Sequence, residues 1–228
     1  MRRRTKNDIR LVLCDMDGTI IRNSHSNFNS SWDAIGLAAQ VWNEFEANKS
    51  RYYHDQKMWH TWAQADALLL KDKSFEDIKL KTFRLISYAP GFQELFNELR
   101  GNYRTGILSN GVGFVAEEIV EQFGFDSELC LADKLLVKNG YFTGDVIEGM
   151  PERDKGRGLR KICKRSGVKP ENILYVGDHL NDLPVFERVG CPVFMDNGNT
   201  DPALDAARQK VKYIITDFRE LREKYDLL

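Results

Sequence analysis

The stretch Leu11-Val12-Leu13-Cys14-Asp15-Met16-Asp17-Gly18-Thr19 begins as an apolar run and ends in two carboxylates and a glycine. The apolar part reads as a buried strand. Residues two apart on an extended chain point to the same side, so Asp15 and Asp17 can face one ligand just past the strand's end, while Cys14 points the other way and packs. In open α/β sheets the ligand crevice lies at the carboxyl ends of the strands. Gly18 permits the sharp turn that lets backbone approach that ligand. Two carboxylates this close repel, and one resists ionising. A divalent cation removes the conflict, and Mg²⁺ suits it because it prefers hard oxygen ligands and takes only one or two carboxylates. One Asp can then attack phosphorus while the other handles protons. An Asp-rich turn after a strand is common, so the pair needs support from the rest of the chain.

Working outward, residues 28–45 place apolar side chains at Phe28, Trp32, Ile35, Ala39, Trp42 and Phe45, a helical spacing. Ser30 or Ser31 can cap its start. A second helical stretch runs from about Tyr52 to Leu70, and Ser74-Phe75-Glu76-Asp77 announces a third that carries Ile78, Phe83 and Ile86. Residues 24–87 therefore read as an all-helical unit without strands of its own. Beyond Ala89-Pro90-Gly91 strands and helices alternate: helix 90–100, strand 103–108 ending in Ser109-Asn110-Gly111, helix 114–123, strand 129–133, a hairpin through Asn139-Gly140, helix 154–166, and strand 173–176 leading into Gly177-Asp178-His179-Leu180-Asn181-Asp182. Strand 192–195, a helix opened by Asp201-Pro202, strand 211–215 and a helix from Asp217 close the chain. This alternation predicts an α/β fold, a Rossmann-like three-layer core with a mainly parallel sheet, plus an inserted helical cap. The expected division is core at 1–23 and 88–228, cap at 24–87.

Composition narrows the classes. With 228 residues, 42% hydrophobic and 29% charged, the chain can bury a sizeable core. A net charge of −1 gives no drive towards nucleic acid or an anionic membrane. The basic start Arg2-Arg3-Arg4-Thr5-Lys6 reads as a solvated tail. No apolar segment resembles a signal peptide or spans a bilayer. Cys14, Cys130, Cys163 and Cys191 have no metal-type spacing and read as reduced thiols, which points to the cytoplasm. Oligomeric state is not legible.

Four elements end in polar residues: Asp15-x-Asp17-Gly18-Thr19; Ser109-Asn110-Gly111; Lys155 at a helix start; and Gly177-Asp178-x-x-Asn181-Asp182. A hydroxyl and free N–H groups at the second can hold phosphoryl oxygens. Lys155 supplies the compact cation that a phosphoryl group and an attacking carboxylate both need. Asp178 can complete a metal site, and Asp182 can anchor Lys155. In this order the four elements resemble the motifs of the haloacid dehalogenase superfamily, in its phosphoserine-phosphatase-like branch. The resemblance covers roughly 8–23 and 88–217. It implies a Mg²⁺-dependent phosphatase acting on a small phosphorylated metabolite. By it Asp15 is the nucleophile that becomes an aspartyl-phosphate, Asp17 protonates the leaving oxygen and then activates water, and Ser109 and Lys155 hold the phosphoryl oxygens. Mg²⁺ is held by the Asp15 side chain, the Asp17 backbone carbonyl and Asp178. The candidate set is thus catalytic Asp15, Asp17, Lys155 and Asp182, with Ser109, Asn110, Lys155 and Asn181 against the substrate.

The cap departs from that branch. The Glu that phosphoserine phosphatases usually carry shortly after the first motif is missing between Ile20 and Phe28, where Ser24 and His25 stand, and no cap Arg can be placed against a substrate carboxylate. All four Trp residues (32, 42, 59 and 62) lie in the cap, with His54, His60 and Tyr52-Tyr53. They read first as the core of a small bundle and second as a wall that selects an apolar, aromatic or cationic leaving group. His179, between Asp178 and Asn181, can touch the reacting centre, but the preferred expectation is that it faces solvent. Other readings are a phosphotransferase or mutase using the same aspartyl-phosphate, a non-hydrolytic phospho-Asp signalling module, and a binding protein on a decayed fold.

Overall fold

The computed structural model describes residues 9–23 and 30–225; the basic start and the Ser24-His25 stretch lie outside the described residues. In chain order, β1 (Leu11–Cys14) and β2 (Ile21–Asn23) lead to four helices, α1 (Ser31–Ala38), α2 (Trp42–Tyr52), α3 (Trp59–Leu69) and α4 (Phe75–Phe83), and then to β3 (Ile86–Tyr88). There follow α5 (Phe92–Leu99), β4 (Arg104–Val112), α6 (Gly113–Phe123), β5 (Cys130–Lys138), β6 (Tyr141–Ile147), α7 (Lys155–Ser166) and β7 (Ile173–Gly177). The chain ends through α8 (Leu183–Phe186), β8 (Cys191–Met195), α9 (Asp205–Arg208), β9 (Tyr213–Ile215) and α10 (Glu220–Tyr225).

Seven strands form one sheet in the order β6-β5-β4-β1-β7-β8-β9, parallel throughout except for the β5–β6 pair. β1 lies in the middle and is wholly buried, as its unbroken apolar run requires. Val12 and Cys14 pack on one face with Phe92 and Phe96 of α5, Ile119 of α6 and Leu221 of α10. Leu11 and Leu13 pack on the other with Leu159 and Ile162 of α7 and Phe186 of α8. The result is a three-layer α/β sandwich of Rossmann type.

Local differences from the sequence reading have physical causes. The helix expected over residues 28–45 is two helices, because Gln40 takes a left-handed conformation (φ 59°) and turns the chain. That turn folds Phe45 back onto Trp32, with ring centroids 6.5 Å apart. Ile86, read as helical, lies in β3, which pairs antiparallel with β2. The two segments that leave and rejoin the core run side by side and satisfy each other's backbone groups, so the helical insert has a two-stranded neck. β4 continues through Ser109-Asn110-Gly111 instead of turning after Leu108, with a register break against β5 between Leu108 and Val112. Residues 130–138, read as part of one strand and half a hairpin, form the single strand β5. Its apparent break at Asp133 is tolerated because that carboxylate is satisfied internally, by the Gly149 N–H at 2.8 Å and Trp59 Nε1 at 3.1 Å.

The insert is tied to the β5–β6 hairpin as well as to its neck. Asp72 N–H donates to the Phe142 carbonyl, Phe142 N–H to Lys73, and Phe75 N–H to Gly140, while Phe75 packs edge-on against Phe114 and Phe142. Among the described residues no helix is long and apolar enough to cross a membrane.

Candidate active site

The carboxyl ends of β1, β4 and β7 and the first residue of α7 meet at one point. Lys155 is fully buried there, its Nζ 2.7 Å from Asp15 Oδ2 and 2.6 Å from Asp182 Oδ1. Asp182 has no lone pair to spare: Oδ1 also accepts from the Tyr175 hydroxyl, and Oδ2 accepts from the backbone N–H groups of Asp178 and His179. It therefore anchors the lysine. Asp15 Oδ1 accepts from Met16 N–H at 2.7 Å. Asp178 accepts from the Thr19 hydroxyl at 2.9 Å and from Asn197 Nδ2 at 2.8 Å. Gly18 has φ 75°, and a Cβ there would lie 2.1 Å from Asp178 Oδ2, so both turn and contact exclude a side chain. Gly111 lets β4 approach the first loop equally closely, since a Cβ would sit 2.4 Å from Asp17 Oδ2.

Charge is poorly balanced in this cluster. Burial raises the pKa of Asp15 more than Lys155 lowers it, and burial together with Asp15 and Asp182 pushes Asp178 well up. Burial opposes the Lys155 ammonium, yet Asp15 and Asp182 outweigh it and raise its pKa. Asp15, Asp178 and Asp182 all offer oxygens within 4.8 Å of one another, against one ammonium. With Asp182 committed to Lys155, two hard carboxylates remain beside the cavity. That donor set and its excess negative charge fit Mg²⁺. The Asp17 side chain stands outside the cluster.

Asp17 is held instead by Ser31, the first residue of α1. Ser31 N–H donates to Asp17 Oδ1 at 2.7 Å and Ser31 Oγ to Oδ2 at 3.1 Å, while Val112 N–H donates to the same Oγ at 2.9 Å. Burial and the Asp15 charge still push Asp17 up to about 7, against these donors. Sequence reasoning saw Ser31 only as a possible cap. Ser30 takes that role, in a reciprocal box with Asp33. Ser109 is buried and its Oγ accepts from Gly111 N–H at 3.1 Å. Asn110 is buried, with both side-chain polar atoms lacking partners among the described residues, as does Asn181 Oδ1. Ser109, Asn110 and Asn181 all line the cavity above Asp15 and Asp17. His179, expected to face solvent, is half-buried and lines it too, because its N–H is drawn in to Asp182.

This cavity, of about 750 Å³, extends under the insert. Trp32, Trp59 and Phe45 are buried yet line it, together with Trp62 and Tyr53, so the aromatics serve both as bundle core and as wall. They form an edge-on chain: Trp32–Trp59 at 6.3 Å, Trp59–Trp62 at 5.2 Å and Tyr53–Trp62 at 6.2 Å. Trp32 Nε1 donates to the Asn110 carbonyl, joining the wall to the β4 loop. Arg153 closes the wall with its guanidinium 4.6 Å from the Trp59 ring centre. Nothing in the sequence singled Arg153 out from the neighbouring basic residues of α7.

A model of the haloacid dehalogenase-like hydrolases matches residues 9–190. The chain belongs to this family. Among curated relatives, the haloacid dehalogenase-like hydrolase described here is 30% identical over 191 residues to a phosphoserine phosphatase of Methanocaldococcus jannaschii, covering 81% of this chain and 84% of the relative. A substrate-bound phosphoserine phosphatase structure superimposes with a TM-score of 0.74 at 26% identity, over 95% of this chain and 98% of the other. A structure of a phospho-aspartyl intermediate analogue of phosphoserine phosphatase gives 0.72 at 26% identity, over 95% and 99%. The haloacid dehalogenase-like chain is thus a phosphoric monoester hydrolase of the phosphoserine-phosphatase-like branch.

Proposed function

We propose that the enzyme is a Mg²⁺-dependent phosphatase that hydrolyses a small phosphomonoester through an aspartyl-phosphate on Asp15. The observation that carries this reading is the buried Lys155, clamped between Asp15 and the fully hydrogen-bonded Asp182. A lysine so held fixes one carboxylate oxygen of Asp15 and presents positive charge where a phosphoryl group would arrive. Asp178 and the Asp15 side chain would hold the metal with the Asp17 carbonyl. Bound there, Mg²⁺ supplies charge neutralisation for the nucleophile and the phosphoryl oxygens. Ser109 and the backbone around Asn110 hold the equatorial oxygens, with Asn181 on the opposite wall. Protonated Asp17 gives its proton to the departing alcohol oxygen as the Asp15–phosphorus bond forms. The carboxylate left behind then takes a proton from the water that cleaves the aspartyl-phosphate. Ser31 holds Asp17 in place for both steps.

Residues 24–87 act as a cap over the site, with 1–23 and 88–228 as the core, and the neck strands let the cap admit substrate. The names of the relatives support a small phosphorylated substrate. The free cysteines suit the cytoplasm. The test is phosphate release across a panel of monoesters, with Mg²⁺ and with EDTA, beside D15N. Turnover that needs the metal and vanishes in D15N is expected. Wild-type rates in D15N would sink the nucleophile assignment, and release that requires an added alcohol acceptor would mark a phosphotransferase.

A further inference from the structure

Arg153 lines the cavity and is half-buried, yet among the described residues its guanidinium has no hydrogen-bond or ion-pair partner, and its Nε is wholly shielded from water. That is costly, because a buried cationic donor left unpaired forfeits its hydration without return. The other cations lining the cavity are already engaged: Arg22 donates to the Gly18 carbonyl and Lys49 pairs with Glu46 at 3.2 Å. The chain also spends backbone energy to put Arg153 there. Glu152 and Arg153 both adopt left-handed conformations, φ 56° and 55°, which non-glycine residues avoid. The strained turn brings the guanidinium over the Trp59 ring, whose Nε1 is fixed by Asp133, and the same Asp133 fixes Gly149 at the start of the loop that carries Arg153. The contact and the loop are thus held from one buried point, and the edge of the guanidinium fork is left free.

The position relative to the reacting centre matters. Trp32 joins the Asn110 carbonyl to Trp59, and Trp59 carries Arg153, so the guanidinium lies along the wall that runs out from the phosphoryl-holding loop under the insert. Tyr53 and Asp133 act on it electrostatically, and Asp15 and Asp17 do so less strongly. The face of Trp59 is already covered by the protein's own cation, which removes it as a platform for a cationic leaving group.

We propose that Arg153 binds a second anionic oxygen group, carboxylate or phosphate, on the alcohol part of the substrate. The enzyme then selects phosphomonoesters whose leaving group is itself an anion. This rests on the phosphatase reading above. A planar five-donor fork held over an indole matches two oxygens of such a group side by side, with little side-chain freedom left to lose.

Binding to D15N in the presence of Mg²⁺ separates this from turnover. The probes are matched pairs that differ only in the second anion: phosphoglycolate against ethyl phosphate, 4-carboxyphenyl phosphate against phenyl phosphate, and propane-1,3-diol bisphosphate against propyl phosphate, with phosphocholine alongside. Calorimetric titration is expected to show the anionic member of at least one pair binding about tenfold or more tighter, a preference that R153Q levels and R153K, which keeps the charge without the fork, only partly retains. The carboxylate and bisphosphate pairs tell the two anions apart. Equal binding within every pair, a preference that survives R153Q, a loss of equal size for both members of each pair, or tightest binding of phosphocholine would each overturn it. Failure of the phosphatase reading looks different: no ester binds to D15N and the unmutated enzyme releases no phosphate from any of them.

Discussion

Replacing Lys155 by methionine isolates the electrostatics of the site, because methionine nearly matches the length of the lysine stem and leaves little cavity. What it removes is the ammonium that lies 2.7 Å from Asp15 and 2.6 Å from Asp182, with neither the lysine nor Asp182 exposed. Breaking a buried pair by deleting one partner costs about 3–5 kcal/mol. A second route gives an upper bound: the stranded carboxylates can relieve themselves by keeping one proton. Holding a proton on a carboxyl that would ionise near pH 3.9 in the unfolded chain costs about 1.36 kcal/mol per pH unit above that value. The bound is therefore about 4 kcal/mol at pH 7 and about 1.5 kcal/mol at pH 5. The sign follows from linkage. A carboxyl whose folded pKa is raised makes stability fall as pH rises through the window between the unfolded and folded values. Burial already raises Asp15 and Asp178 in the parent, and losing Lys155 raises them further. The parent's own Lys155, with its pKa raised, keeps its contribution up to its unfolded value near 10.4, outside this window. Urea unfolding of K155M and parent in EDTA, followed by tryptophan fluorescence, is expected to give a difference approaching 4 kcal/mol at pH 7 and shrinking to about 1.5 at pH 5. Added Mg²⁺ should return part of the loss at pH 7. A difference under about 1 kcal/mol at pH 7, or one that does not change with pH, would refute the reasoning.

Two further outcomes follow from the groups around this centre. Asp17, raised to about 7 by burial and by Asp15, gives up its proton to the alcohol in the proposed mechanism, so kcat/KM is expected to fall above about pH 7; S31A removes one donor that favours its carboxylate and should move that limb to higher pH, as pH–rate profiles will read. Asp133 is pushed up to about 8 by burial, so parent stability should decline between about pH 4 and pH 8 as the unfolded chain ionises and the folded chain does not, and D133N should flatten that decline in urea midpoints while loosening Trp59.

How much of this was legible in the sequence depends on whether a residue's role is set by its neighbours in the chain. Asp15, Asp17, Lys155, Asp178 and Asp182 each stand at a strand end or helix start that local pattern reveals, and the parallel sheet then brings those ends together. Ser31, Arg153 and Asp133 act through partners far along the chain. Ser31 serves Asp17 across the neck of the insert, Arg153 lies on Trp59, and Asp133 holds both Trp59 and Gly149. The serine looks like a cap, the arginine like one more residue of a basic stretch, and the aspartate like a break in a strand. Each escaped for the same reason: its chemistry is specified by the packing of the insert against the rest of the chain, and no local period records that.

That packing also bears on how the reacting groups are coupled to the cap. The Ser31 hydroxyl lies between the carboxylate of Asp17 and the N–H of Val112, at distances of 3.1 and 2.9 Å. One side chain on the first helix of the insert thus touches both the first loop and the end of β4. If the insert swings on its two-stranded neck to admit substrate, those two contacts break together and Asp17 loses both donors from Ser31. With them gone, burial and the Asp15 charge act on Asp17 with less opposition, although opening also brings water to it. In this structure the carboxylate of Asp17 is aimed by Ser31, and the aromatic wall is joined to Asn110 by Trp32 in the same arrangement. On the proposed mechanism, closure of the insert would assemble the proton-handling residue and the leaving-group wall in one motion, which would tie turnover of the ester to occupancy of the cavity by its alcohol part.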